Sequence, residues 1–252
     1  QFGQKFDWDA FADGIRRFNE LNIHETNKWD VYAKCDNIAL NSMAQAFWRI
    51  YMYQQGANKH FEREAKVIWK YFEKCLKKDI KPFKYRHRAL AWSCGSTYYD
   101  NATCWLYQCW GILTVINMDS LTGHNIVDTE DRDEMMSDIA DLYARSPMRT
   151  HTVGGNRHIL MMFETAAKFN CDMIVMYDDI GCKGMAGCQG LLEEEFRKHP
   201  EFHIMWMPHA LMDCRTVPTA EARKVVNDYM TTVLHEEPVD PSLMDFDDSE
   251  GW

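Results

Sequence analysis

The 252-residue sequence predicts an α/β protein: a helical N-terminal layer followed by a four-stranded parallel sheet. Two observations carry that expectation. Four short apolar runs, Ala89–Trp92, Ile112–Ile116, Met173–Tyr177 and His203–Met207, fit strands buried on both faces rather than half-exposed ones. Stretches with an apolar period of three to four residues separate them, so strand and helix alternate as in a Rossmann-like, doubly wound sheet. The expected divisions are a helical segment over 1–85, the parallel α/β domain over 86–235 and an acidic extended tail over 236–252.

In chain order, Asp7 is a plausible cap for a first helix in which Phe11, Ile15, Phe18 and Leu21 share a face. A second helix is expected from Thr26 to Lys34. A third runs from Ala39 to Gln54 and stops at Gly56. A fourth spans Lys59 to Lys78, with Ile68, Phe72 and Cys75 on its apolar stripe and Lys74, Lys77 and Lys78 solvated, and Pro82 ends it. The first strand leads into Ser93-Cys94-Gly95-Ser96 and a helical run to Trp110. After Gly111 and the second strand, Thr129 is the expected cap of a helix that buries Met135, Ile139 and Leu142. Gly154-Gly155-Asn156 precedes a helix from Arg157 to Phe169. The third strand is followed by a glycine-rich turn, with helix resuming at Leu191. The fourth strand is followed by a turn at Asp213–Thr216, and Thr219 caps a last helix through Val233.

Composition narrows the function. A formal charge of −10 argues against a phosphate-backbone partner, which asks for a basic face. No apolar run approaches the roughly 18–20 residues of a membrane span. The chain opens on Gln1 without a signal-peptide pattern, and is expected to be part of a longer product. Nine cysteines, an odd number without a CxxC pair, point to reduced thiols in a cytoplasm rather than a disulfide framework.

The candidate site centres on CDMIVMYDDIGCKGMAGCQGLL, Cys171 to Leu192. Ligands of open α/β sheets sit beyond the carboxyl ends of the strands, where Cys182 falls, with Gly181 and Gly184 allowing close backbone approach. Cys182 is either a thiolate ligand of a soft metal centre, iron–sulfur above all, or an ordinary loop cysteine. Cys188, six residues on, is the weaker ligand candidate. Cys94, Gly95 and Ser96, at the equivalent corner of the first strand, are candidates for holding an anionic group such as a phosphate or thioester oxygen, and so are Gly155 and Asn156 at another helix start. The bland alternative for each is a capped helix start. GxGxxG is missing, which disfavours a nicotinamide dehydrogenase. His209 is the candidate proton donor, Asp213 and Arg215 read best as an ion pair, and Asp178-Asp179 as turn caps.

FDWDAFADGIRRFNELN, RALAWS, the GCKGMAG turn, MWMPHALMDCRTV and the closing EEPVDPSLMDFDDSEGW together resemble the benzoyl-CoA reductase/2-hydroxyacyl-CoA dehydratase family, over nearly the whole chain and in the manner of the C-terminal part of a subunit. The closing segment leans toward the reductase branch. The resemblance implies an ATP-driven radical enzyme acting on an acyl-CoA through a ketyl radical. Each subunit holds a [4Fe–4S] cluster through three cysteines, with Cys182 matching one and the other two outside this chain. It also implies pairing with a homologous companion subunit in a pseudo-symmetric heterodimer, and electrons from a separate ATP-hydrolysing iron–sulfur activator. The rival expectations are a dehydratase subunit and a non-catalytic structural partner.

Overall fold

The sheet is built from β1 (His87–Trp92), β2 (Ile112–Asn117), β3 (Met173–Asp179) and β4 (His203–His209), all parallel, in the order β2-β1-β3-β4. The computed structural model describes residues 5–34, 59–81, 83–93, 100–118, 126–145, 157–210 and 215–245, with Gly3, Asp36 and Asp213. The helix expected over 39–54 lies outside them, as do Cys94, Gly95, Ser96, Gly155 and Asn156.

The first three strands are almost wholly buried, which explains their unbroken apolar runs, whereas the edge strand β4 alternates. Each strand outlasts its apolar run. β1 starts at His87, while β3 and β4 extend through Asp179 and His209, because backbone pairing continues after the side chains turn polar. His209 is therefore the last residue of a strand, not part of the following loop.

Helices cover both faces, as a doubly wound sheet requires. On one face, Trp29 and Tyr32 of α1 (Trp8–Lys34), Phe72 and Cys75 of α2 (Lys59–Lys77), Ile159 and Phe163 of α5 (Arg157–Lys168) and Met185 and Leu192 of α6 (Lys183–Phe196) pack on Leu90, Trp92, Ile174 and Met176. On the other, Trp105 and Leu106 of α3 (Asp100–Trp110) and Ala222 and Val226 of α7 (Thr219–Asp228) pack on Ala89, Val175 and Met205. A satellite cluster joins Ala12 of α1 to Val127 and to Met135 of α4 (Arg132–Ala144).

Four local expectations are corrected. The two helices expected before Lys34 are one 27-residue helix. The apolar period lapses in its middle because Asn22, Glu25 and Lys28 are polar yet buried. Asp131 rather than Thr129 caps α4, its carboxylate accepting from the Asp133 and Glu134 N–H groups, while the Thr129 hydroxyl accepts from Arg16 at 3.2 Å. Pro218 holds the N-cap position of α7, with Thr219 one place inside, and the α-helix gives way at Tyr229–Val233 to a π turn. The glycine-rich stretch after Cys182 is helix from Lys183 onward.

Gly111 joins α3 to β2 with φ +72°, a backbone conformation that favours glycine, and a Cβ there would also crowd the Arg86 side chain at 3.2 Å. Residues 234–244 run back along the second face, where Leu234, Leu243 and Met244 pack on its core. Among the described residues no helix is long and apolar enough to cross a membrane.

Candidate functional site at the carboxyl edge of the sheet

Strand order reverses between β1 and β3: the chain leaves β1 toward β2 on one side and reaches β3 on the other. The crevice beyond their carboxyl ends is where such sheets bind ligands. Trp92 and Met176 face each other in register there.

From β3 the chain turns into α6 within three residues. The Asp179 main-chain oxygen accepts from the Cys182 N–H at 2.9 Å and its carboxylate from the Gly181 N–H at 3.1 Å. Asp179 thus caps the turn. Ile180 N–H reaches across to the His209 carbonyl at 3.2 Å, tying the turn to the end of β4. The geometry delivers Cys182 to the N-cap of α6, half-buried, with its side chain making no capping bond. N–H groups in the first turn of a helix point outward and favour a negatively charged partner. Gly187 and Gly190 face open space, so no close approach accounts for those glycines.

Cys188 has a different setting. Its thiol donates to the Met185 carbonyl at 3.3 Å, and burial, with the nearby Cys182, pushes its pKa up. A thiol that keeps its proton in a helix hydrogen bond is a poorer ligand than one at a helix start. Burial likewise raises Cys171 to about 12 and Cys109 to about 11, marking both as core thiols.

His209 is at the same edge as Cys182 but on the other face. Its ring meets the edge of Tyr177 at 5.4 Å and is 1% exposed, whereas Cys182 packs on the core beneath α1, α5 and α6. The sheet therefore separates them. Arg215 forms the expected ion pair, bidentate on Asp213 at 2.8 Å to each oxygen, which holds that carboxyl down at about 2.

Three features were not singled out from the sequence. Ser93, buried directly after β1, has φ +72°, a conformation costly for a residue with a side chain and one that clusters at functional sites. Trp92 donates its indole N–H to His158 Nε2 at 3.0 Å, so that ring is neutral with its proton on Nδ1, and it lies buried in the first turn of α5. Glu25 and Lys28 form a buried ion pair at 2.6 Å on the inner side of α1. The available signal was an apolar period interrupted by polar residues at helical spacing; a lone histidine or serine gives none.

An iron–sulfur cluster can be tested against this donor set. One thiol, half-buried at a helix start with no side-chain cap, suits one iron. Among the described residues no group of three or more histidines, cysteines or acids is arranged to hold a metal ion, and a four-iron cluster asks for several thiolates. The described residues therefore fit one corner of a cluster and not the whole.

The family model of the 2-hydroxyglutaryl-CoA dehydratase D-component matches residues 1–212. The chain belongs to this family. It is accordingly a dehydratase-type subunit of the acyl-CoA dehydratase and reductase class. The match spans α1 to β4 and includes the Cys182 corner, while α7 and the closing segment lie beyond it. No curated protein matches the chain.

Proposed function

We propose that the chain is a subunit of an ATP-driven radical 2-hydroxyacyl-CoA dehydratase and that Cys182 supplies one thiolate to its [4Fe–4S] cluster. The observation that carries the reading is Cys182 itself, at the switch point of the sheet and at an uncapped helix N-terminus, inside the part of the chain that matches the family.

When bound, the cluster supplies one low-potential electron to the acyl-CoA. The chain's own residues hold and shelter it. Cys182 would ligate one iron, the first-turn N–H groups of α6 favour negative charge there, and the buried cluster of Trp92, Met176 and Met185 backs the cysteine on its inner side. The remaining ligands come from residues outside these 252. Cys94, Gly95 and Ser96 after β1, and Gly155 and Asn156 before α5, are assigned to the acyl-CoA anion. Proton transfer was expected of His209, but its ring is buried against Tyr177 on the far face, so we assign it support of the β4 end rather than contact with substrate. Cytoplasmic location, a homologous companion subunit and a separate ATP-hydrolysing activator belong to the same reading.

A second reading, reduction of benzoyl-CoA or a related aryl-CoA, keeps a specific support: the closing EEPVDPSLMDFDDSEGW that favours it lies beyond the matched residues 1–212. The native complex, given reductant and ATP without oxygen, separates the two. Water loss from a 2-hydroxyacyl-CoA with no ring reduction is the expected outcome. Ring reduction of an aryl-CoA without water loss overturns the dehydratase assignment.

A further inference from the structure

At the opposite edge of the sheet, far from Cys182, both ring nitrogens of buried His87 face carboxylates. Nδ1 lies 2.7 Å from Asp172 Oδ2 and Nε2 lies 2.9 Å from Glu236 Oε1. A neutral imidazole has one N–H and one lone pair, so it satisfies only one of these contacts; the other would set a lone pair against a carboxylate oxygen. The arrangement therefore requires the imidazolium. The two carboxylates differ in what else holds them. Asp172 precedes β3 and also accepts from the Arg88 N–H at 2.6 Å, so the body of the domain fixes it. Glu236 stands on the segment that returns over the second face. That segment is held by Glu236 N–H to Met230 O at 3.0 Å, Val239 N–H to Cys109 O at 2.7 Å, Trp105 Nε1–H to Leu243 O at 2.8 Å and Asn227 Nδ2–H to Met244 O at 3.0 Å.

We propose that His87 is a proton-operated latch for the 234–244 strap: the imidazolium ties Glu236 to the amino edge of the sheet, and the neutral ring keeps Asp172 and releases Glu236. The other groups around the ring are Arg86, 3.7 Å from Glu236 Oε2 and donating to the Glu237 carbonyl, the exposed His203 with its ring edge-on at 5.7 Å, and Arg88 through its main chain. His235 and Glu237, on the strap itself, are exposed. Arg86 supplies the second positive charge that balances the two carboxylates, and it moderates the release without replacing the lost hydrogen bond. Opening lifts the strap from Trp105 and Cys109, baring an apolar strip on α3.

The direction with pH follows from the ring's two partners. The hydrogen bond to Asp172, against the opposing cost of burial, and then that to Glu236 hold the His87 pKa above its usual 6.5. A group raised on folding contributes stability that is fully present below its unfolded pKa and is lost as pH rises through the folded one. Burial pushes Asp172 up, but the hydrogen bonds from His87 and Arg88 outweigh it and leave its carboxyl low, so the pair stays charged through mildly acidic pH. The strap is thus closed in mild acid and opens as pH rises through the raised His87 pKa.

Hydrogen exchange on the full chain, corrected for intrinsic rates, tests this at the Glu236 and Val239 amides between about pH 6 and pH 9. Their protection should fall by about tenfold, the equivalent of one charge-assisted hydrogen bond, while β3 amides hold theirs. In Glu236→Gln the side-chain amide either accepts from or donates to Nε2, so protection should stay flat with pH. Nitrogen chemical shifts of His87 in the unmodified chain provide a reading independent of any variant, with both nitrogens protonated at about pH 6. Flat protection in the unmodified chain, unchanged pH dependence in Glu236→Gln, or a neutral His87 at about pH 6 would each overturn the latch.

Discussion

Cys182, Cys188 and Cys171 are the same side chain in three settings, and the setting decides what each can do. Cys171 is sealed in the core and Cys188 donates to a helix carbonyl, so both keep their protons. Cys182 alone among them begins a helix with no capping bond of its own. From the residues alone, the pair at 182 and 188 differed only in distance from an expected strand end, and it was the family resemblance that picked out Cys182. The structure separates them because the helix starts at Lys183, which glycine content had disguised as a turn. Asp131 makes the same point about local chemistry. Its carboxylate accepts from two N–H groups, and Asp131→Ala should lower stability by about 1 kcal/mol. Urea unfolding measures this, and a loss in Thr129→Ala as large as that in Asp131→Ala would return the cap to Thr129.

At the scale of elements, the four strands were legible because parallel strands covered on both sides must be apolar throughout. Their polar ends were not legible: His87, Arg88, Asp178, Asp179 and His209 extend the ladder through backbone pairing that side-chain character does not encode. The unbroken run of α1 was hidden by the opposite conflict, polar residues on the inner face. Asn19 explains part of what holds that helix in place, since its side-chain amide exchanges hydrogen bonds of 2.8 and 3.0 Å with both backbone groups of Val127. At the site, α6 is the element that counts, because it carries Cys182 at its start and anchors on the sheet through Met185 and Leu192. Leu192 is fully buried. Leu192→Ala should cost about 2–5 kcal/mol in denaturant unfolding, and a cost below about 0.5 kcal/mol, the range of ordinary surface substitutions, would mean that α6 is not held by this contact.

Over the whole molecule, the two edges of the sheet have separate roles in this account. The carboxyl edge gathers Cys182, the strained Ser93 and the end of β3, and the matched family covers all of it. The amino edge gathers His87, Asp172 and Glu236 and governs the returning strap. The fold class and the Cys182 corner followed from the residues and the family resemblance together. The expectation of an incomplete donor set came from counting thiols near one strand end and from the family resemblance. The His87 bridge was beyond reach of the sequence, since its two carboxylates lie 85 and 149 residues from His87 and meet it only once the sheet and strap are in place.

The most direct test of the central claim is cluster content in Cys182→Ser, measured as iron per protein and as the EPR signal of the reduced cluster in the anaerobic native complex, with Cys188→Ser beside it. The account predicts that Cys182→Ser loses or alters the cluster of this subunit and that Cys188→Ser leaves it in place. An unchanged iron content and EPR signal in Cys182→Ser would contradict it.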